Sequence, residues 1–431
     1  MFNIGICGYG TVGQSLVKHL TAYKKNIQSN TSQKFSIGLI ADRSIDSKEY
    51  DKSIPVTKNP MDLVSNPDIH IIVELLGGIG LSYELIVKAI KNQKHIVTAN
   101  KALIAVHGDE IFKLAYDNNV YFGFEASVAG AIPVISTLTK SMANEEIFSF
   151  VGIINGTCNY ILEQMTCSDL SFDDALQNAK KLGYAEADPT FDINGTDAAH
   201  KISILASIVH KVMSPLEKTY IEGIENITSM DIKYARELGY SIKHVGVSNK
   251  NNNMLECSAY PVLLPLNNIL SQVNGVMNAI LIKGDKFGKS MLYGHGAGGE
   301  ATASAVVANI IEAINYASKT DLTNQLLLKS MGTKKLDIKN NNEVVSPFYL
   351  RIYAEDISGV MAEITNILAN QNISIEAVTQ HEPTSNNSLI PIVMITNVVS
   401  TNSIKNAINK IQSLDHVIGD VHIIRVLKND E

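Results

Sequence analysis

Six residues near the start of the chain restrict its fold more than any others. Gly8-Tyr9-Gly10-Thr11-Val12-Gly13 follows directly on an apolar run, Phe2-Asn3-Ile4-Gly5-Ile6-Cys7, and opens a segment of helical period. In a strand–turn–helix setting the first glycine permits the tight turn and the second lets main chain approach a pyrophosphate. The third lets the helix pack on the strand, and the helix N-terminus supplies positive potential. The same glycines would also serve helix–strand packing alone. The setting predicts a dinucleotide-binding sheet with Gly8, Gly10, Thr11, Val12 and Gly13 at the cofactor.

The residues that follow extend this pattern. Short apolar runs at 2–7, 35–41, 69–76, 95–98 and 120–125 alternate with helix-period segments, which predicts a parallel, doubly wound α/β sheet over 1–130. Asp42 and Arg43 end the second run. An acid there accepts hydrogen bonds from the ribose of NAD, whereas an arginine there holds the 2′-phosphate of NADP, so both coenzymes stay open. Asp42 lies further from Gly13 than the usual spacing of about 20 residues, and Lys24–Lys34 reads as a polar insertion that accounts for it. Glu74 to Gly78 ends a core strand either at the ligand-binding side or as a plain strand turn. His95 to Thr98 forms the next strand, and Lys101 follows at its carboxyl edge, as a carbonyl-polarising or proton-carrying group or as a solvated surface lysine.

From 131 to 300 longer helices mix with isolated strands, such as Val245–Val247 and Leu255–Tyr260, and the asparagine-rich stretch 249–253 reads as a surface loop. A second asparagine run before Pro347 marks a linker over 339–347. Beyond it, strand 348–354, helix 359–371, strands 373–382 and 388–396, helix 402–413 and strand 418–427 spell βαββαβ, the ferredoxin-like order. No internal repeat is evident.

The chain has 431 residues, net charge −7 and 18% charged residues with no basic block, which argues against nucleic acid and anionic membranes as partners. It opens on an apolar strand without a charged leader, and no apolar run approaches the roughly 18 residues of a transmembrane helix. Cys7, Cys158, Cys167 and Cys257 are scattered, without CxxC spacing, so neither a disulfide framework nor a zinc site is expected. A cytoplasmic, reducing location is expected.

Tyr184 to Lys201, YAEADPTFDINGTDAAHK, gathers Glu186, Asp188, Asp192, Asp197, His200 and Lys201 into a turn-rich segment that enters an apolar helix. Asn194 or Thr196 can cap that helix. Asp197 and Lys201 then share one face with Ile204 and Ile208, either as a solvated i,i+4 pair or as a lysine set by a carboxylate for chemistry. His200 points away and reads as structural. Gly294 to Gly299 reads as a close-packing loop or a second cofactor contact. In Asp356-Ile357-Ser358-Gly359 the glycine frees a helix N-terminus for an amino-acid carboxylate.

GYGTVG, VTANKALI, EASVAGAIPVI, GIINGTCNYIL, KKLGYAEADPTFDINGTDAAHK and GHGAGGEATASAVVANI occur in this order. Together they resemble the homoserine dehydrogenase family, of the long bacterial type with a C-terminal ACT domain. The resemblance implies an N-terminal Rossmann domain over 1–130 with 300–330 returning to it. It also implies an α+β catalytic and dimerisation domain over 131–300 and a regulatory ACT domain over 348–431. The implied reaction is NAD(P)H-dependent reduction of L-aspartate 4-semialdehyde to L-homoserine, in threonine and methionine biosynthesis. By the same resemblance Lys201 is the proton donor, Asp197 the acid beside it and Lys101 the second active-site lysine, also touching cofactor. Glu186 holds the substrate amine, with Tyr184, Asp192, Gly156 and Thr157 completing the pocket. Ala99, Gly183 and Gly296 join the cofactor contacts. Glu125, Val128, Gly130 and Ile132 bind sodium, mainly through backbone carbonyls. Asp356 and Gly359 mark an effector site, threonine being the implied inhibitor, in a homodimer or homotetramer.

Two departures bear on cofactor details: Ala301 replaces a usual proline before Thr302, and Asn309 stands where an acid is usual. No kinase-like segment precedes residue 1, so a fused aspartokinase is not expected. The rival readings are a Rossmann dehydrogenase for another small amino-aldehyde and an amino-acid sensor that has lost catalysis. The acid at 186 and the two lysines argue against them.

Overall fold

The computed structural model describes residues 1–318, 322–381 and 389–427. Six parallel strands open the chain: β1 (Phe2–Cys7), β2 (Phe35–Ala41), β3 (Val56–Thr57), β4 (Ile71–Glu74), β5 (His95–Thr98) and β6 (Phe122–Gly123). Their order is β3-β2-β1-β4-β5-β6, so the strand order, and not the strand direction, reverses between β1 and β4, and the glycine turn emerges at the carboxyl end of β1. In the Thr11–Ala22 helix, Leu16, Val17 and Leu20 repeat at helical spacing and bury against the sheet. The Gly299–Ala317 helix returns to this domain: Ala303, Val306, Ile310 and Ile314 pack in one core with Ile4, Ile6 and Leu16.

Two expected irregular stretches are more ordered than their composition implies. Lys24–Thr31, within the stretch read as a polar insertion, is a helix that buries Ile27 in the core and Thr31, whose hydroxyl donates to the Ile27 carbonyl. The asparagine stretch read as a loop is mostly strand. Tyr240–Asn251 and Met254–Pro265 run antiparallel, and only Asn252-Asn253 form the turn, Asn252 at φ 53° in the left-handed region that asparagine tolerates. The run expected at 120–125 shortens to β6, because Glu125–Ser127 turns into a 3₁₀ helix.

The second sheet runs Gly288–His295, Met277–Gly284, Ile147–Ile153, Tyr240–Asn251, Met254–Pro265 and then, without a break, into the C-terminal unit. The join is parallel pairing of Val262 with Arg425 and Leu263 with Val426. The unit itself shows the expected βαββαβ order: Phe348–Glu355, Val360–Ala369, Ile375–Gln380, Leu389–Thr396, Thr401–Gln412 and His422–Val426. Residues 382 and 388, assigned to strand ends from sequence, lie outside the described residues. The 339–347 linker is docked, since Val345–Ser346 pairs with Val399–Ser400. No helix among the described residues is long and apolar enough to cross a membrane.

Candidate active site

Residues distant in sequence meet at the N-terminus of the Thr196–His210 helix. That helix lies in the middle of the molecule, with Ala198, Ile202, Ile204, Leu205 and Ile208 buried around it, so its polar residues need partners inside the protein. Gly195 starts it at φ +87°, where a Cβ would lie 2.8 Å from the Glu222 carbonyl; glycine is needed for both reasons. Neither expected residue is the N-cap, which is Gly195 without a side-chain cap bond; Asn194 makes an Asx turn before it, its Oδ1 accepting from the Thr196 amide at 2.9 Å.

Asp197, 2% exposed, divides its carboxylate between two lysines. Oδ2 accepts from Lys201 Nζ at 2.7 Å, and Oδ1 pairs with Lys101 Nζ at 2.9 Å. Lys201 Nζ also donates to the Ile154 carbonyl at 2.7 Å and is nearly buried, whereas the Lys101 side chain is 36% exposed. Burial raises the Asp197 pKa, but the charges of Lys201 and Lys101 and the hydrogen bonds from both outweigh it and hold the carboxyl well below the usual carboxylate range. The Asp197 charge in turn raises Lys101 against the opposing effect of burial, with smaller contributions from Asp192 and Glu186. The site thus keeps two ammonium groups on one fixed carboxylate, one sealed and one open.

A second acid closes the arrangement. Asn155 caps the Gly156–Cys167 helix through Oδ1 to the Cys158 amide, and its Nδ2 donates at 2.8 Å to both Asp192 Oδ1 and Asp197 Oδ2. Burial, and then the Asp197 charge, raise Asp192. Thr157 Oγ1 donates to the Tyr184 carbonyl at 2.7 Å, which fastens the expected pocket segment to this helix. Tyr184 and Glu186 are exposed on that segment. Phe191 lies over Lys101, its ring centroid 5.7 Å from Nζ, and edge-on to His200. His200 is buried by Phe191 and does not join the lysine pair, in keeping with its structural reading. Asn155 and Phe191 were not singled out from sequence. The cap position of Asn155 before a helix was the available signal, but its carboxylate bridge depends on tertiary contact.

At the dinucleotide end the three glycines behave differently. Gly8, at φ +102°, would put a Cβ 2.7 Å from the Leu75 carbonyl, and Gly13 would put one 2.2 Å from the Gly8 carbonyl. Gly10 faces open space, as backbone must where a phosphate approaches. Asp42 Oδ2 accepts from the Tyr9 amide at 2.7 Å and from Lys48 Nζ at 2.8 Å. Burial opposes ionisation of Asp42, yet these bonds and those from Ser44 bring it down to about 2. Arg43 is exposed beside it, and Ala99 sits between β5 and Lys101. The residues present therefore fit a dinucleotide. Glu74 does not face a ligand: its carboxylate is used by the Leu76 amide, Ser82 and Thr98, which supports the strand-turn alternative. Gly299 packs against Thr11 and Ser15, and Gly296 against Asn278, so close packing accounts for this part of the second glycine loop. Gly183, at φ +74°, has open space around it.

Three family models match the chain: "Homoserine dehydrogenase, NAD binding domain" over 8–125, "Homoserine dehydrogenase" over 133–311 and "ACT domain" over 348–416. The chain belongs to the homoserine dehydrogenase family. The homoserine dehydrogenase of Pseudomonas aeruginosa is 42% identical over 98% of both chains. The crystal structure of a homoserine dehydrogenase from Thiobacillus denitrificans superposes with a TM-score of 0.94 at 39% identity, covering 99% of this chain and 98% of that one. A hyperthermophilic archaeal homoserine dehydrogenase in complex with NADPH matches 72% of this chain and 97% of its own, with a TM-score of 0.61 at 28% identity. The homoserine dehydrogenase fold thus carries an NAD(P)-binding domain and an ACT domain here. Its chemistry is the NAD(P)-dependent interconversion of L-aspartate 4-semialdehyde and L-homoserine, in amino-acid biosynthesis. The readings as a dehydrogenase for another amino-aldehyde and as an inactive sensor are not favoured.

The homoserine dehydrogenase departure at Asn309 has a structural account. Its Oδ1 accepts from the Glu125 amide at 2.8 Å while Nδ2 donates to Tyr121 and Glu312, so an amide fits because it both accepts and donates. Glu312, one turn on, accepts from both Asn309 and Tyr121. Nothing in the structure explains Ala301. Glu125 spends its carboxylate on the amides of Ile135 and Ser136 and on Ser136 Oγ. Ala129 and Gly130 follow in the left-handed region. Among the described residues no group of three or more His, Cys, Asp or Glu side chains could hold a metal.

Proposed function

We propose that Lys201 donates the proton to the substrate oxygen, that Asp197 fixes it there, and that Lys101 assists at the open side of the same carboxylate. The observation that carries this reading is the double pairing of Asp197, with Lys201 at 2.7 Å and Lys101 at 2.9 Å. A carbonyl that gains a hydride becomes an alkoxide, and two ammonium groups held in a largely buried site stabilise that charge and offer it a proton. The dinucleotide, when bound, supplies the hydride. Gly8, Gly10, Thr11, Val12 and Gly13 hold its phosphates, Asp42 its ribose, and Ala99, Gly183 and Lys101 its remaining contacts, Gly296 being taken up by packing on Asn278. Arg43 and Lys48 put two cations beside Asp42, so the site suits NADP as well as NAD.

Glu186 takes the substrate ammonium, and Tyr184, Asp192, Gly156 and Thr157 shape the pocket. Its opposing charges suit a substrate with both an ammonium and a developing alkoxide. The carbonyls of Glu125, Val128, Gly130 and Ile132 hold a sodium ion; oxygen donors suit such a hard cation. The ACT unit binds threonine at Asp356 and Gly359 in a homodimer or homotetramer, Gly359 at φ +104° opening the Val360–Ala369 helix. Unpaired cysteines agree with a cytoplasmic setting.

NAD(P)H oxidation with aspartate semialdehyde tests the pocket. Glu186→Gln should raise the substrate KM by about tenfold or more with coenzyme KM unchanged, the size expected for a lost charged hydrogen bond. An unchanged substrate KM would remove Glu186 from the pocket.

A further inference from the structure

Lys243 is an anomaly of the catalytic sheet. It sits inside the Tyr240–Asn251 strand at 3% exposure, far from the lysine pair in sequence, and no carboxylate among the described residues hydrogen-bonds it. Its ammonium instead meets three neutral acceptors: the Val273 carbonyl at 2.6 Å, Asn159 Oδ1 at 3.1 Å and Asn274 Oδ1 at 3.2 Å. Three N–H donors and three acceptors match the charged form, whereas a neutral amine would have one donor fewer. Burial pushes Lys243 down to about 8, with Glu163 and Cys167 opposing from the Gly156–Cys167 helix. Keeping a cation here costs stability, and the surrounding contacts show what it organises.

The same contacts converge on the start of the Gly156–Cys167 helix. Asn159 Nδ2 donates to the carbonyls of Val273 and Gly275, at 3.1 and 3.0 Å, and Glu163 accepts from the Gly275 amide at 2.8 Å. The 273–276 turn is thereby pressed on the first residue of the helix: a Cβ at Gly156 would lie 2.7 Å from the Val276 carbonyl. Gly156 and Thr157 follow directly, and Thr157 carries the Tyr184 segment.

We propose that Lys243 is a positioning residue for the amino-acid substrate, tying the 273–276 turn to Asn159 and so setting Gly156, Thr157 and the Tyr184 segment against the bound substrate. This rests on reading those residues as the substrate pocket. Lys243 touches neither lysine of the pair, so its removal changes how substrate is held and not the proton transfer itself.

Steady-state kinetics in the homoserine-oxidising direction separates these effects, with homoserine and NADP varied in turn. Lys243→Met should raise the homoserine KM by about tenfold, the equivalent of a lost hydrogen bond to a charged group, with kcat and the NADP KM within about twofold. Asn274→Ala removes only the exposed acceptor of the network and should shift homoserine KM the same way by about threefold, as expected for one weaker bond. It gives the answer if Lys243→Met does not fold. A homoserine KM unchanged in Asn274→Ala, or a Lys243→Met enzyme that loses kcat and not KM, overturns the proposal. Glu186→Gln, on another wall of the pocket, identifies the cause. If it raises homoserine KM while the Lys243 network does not, only the positioning role fails. If it too leaves KM unchanged, the pocket reading fails and the positioning role with it.

Discussion

Asp197 is the residue on which the site turns, because one carboxylate orders two cations that would otherwise repel. Asp197→Asn should cost roughly 3–5 kcal/mol of stability, as for a buried pair that loses one charge, and lower kcat; thermal melting and steady-state kinetics read the two effects. Asn155→Ala should be less damaging to the fold, about 1–3 kcal/mol, since it strands two acceptors and the capped Cys158 amide without removing a charge. A melting temperature equal to the parent's would show the bridge from Asn155 to be dispensable. The Asp197–Lys201 pair was legible because four residues on a helix share a face. Lys101 could be placed at a sheet edge, but nothing local tied it to Asp197. Asn155 was hidden for the same reason: helix capping is a local rule, while contact with Asp192 and Asp197 is made only in the folded chain.

At the scale of the element, the glycine turn separates coenzyme recognition from folding. Gly10→Ala should fold normally and weaken coenzyme binding, since its Cβ enters open space that a phosphate needs. Gly13→Ala should destabilise the domain, because its Cβ would press on the Gly8 carbonyl. Melting curves and coenzyme titration distinguish the two; equal melting points for both variants would contradict the assignment. The strand–turn–helix character of this segment was fully readable, since each glycine role follows from local geometry. The Lys24–Thr31 helix was not, because two buried side chains in a polar stretch leave too faint a period to detect. The hairpin at Asn252 departs from the loop expected at 249–253 for a related reason: strand pairing with Met254–Pro265 overrides the turn preference of its asparagines.

Across the whole molecule, the catalytic sheet and the ACT unit form one continuous hydrogen-bonded surface, and a buried ion pair fastens it. Arg351 Nε donates to Asp231 Oδ1 at 2.7 Å, and Tyr349 and Thr228 satisfy the same carboxylate. The βαββαβ order was visible in the sequence, but its docking was not, since the parallel pairing at Val262 and Arg425 has no turn signal. By this connection threonine should inhibit the full chain, and a shortened chain ending at Asn340 should lose that response; equal inhibition of both would remove the sensor role. Stability should also fall on the acid side. Desolvation lowers buried His210, stacked on Phe150, and partly buried His95 to about 4, so they stay neutral when folded. Between about 6.5 and 4 the unfolded chain binds more protons, and stability falls with pH by roughly 3 kcal/mol for each histidine. Asp197 adds to this below about 4, where its unfolded carboxyl takes up a proton that the folded one resists. Urea unfolding at pH 7 and pH 4.5 measures the histidine part, and equal midpoints would contradict it.

The most direct test of the double-lysine site is the turnover of Lys201→Ala with aspartate semialdehyde, followed by NAD(P)H oxidation alongside circular dichroism and coenzyme titration. The predicted result is a kcat lower by about 10²- to 10⁴-fold, the scale of lost general acid catalysis, with secondary structure and coenzyme affinity retained. A folded Lys201→Ala enzyme with near-normal kcat would contradict the assignment of the proton to Lys201.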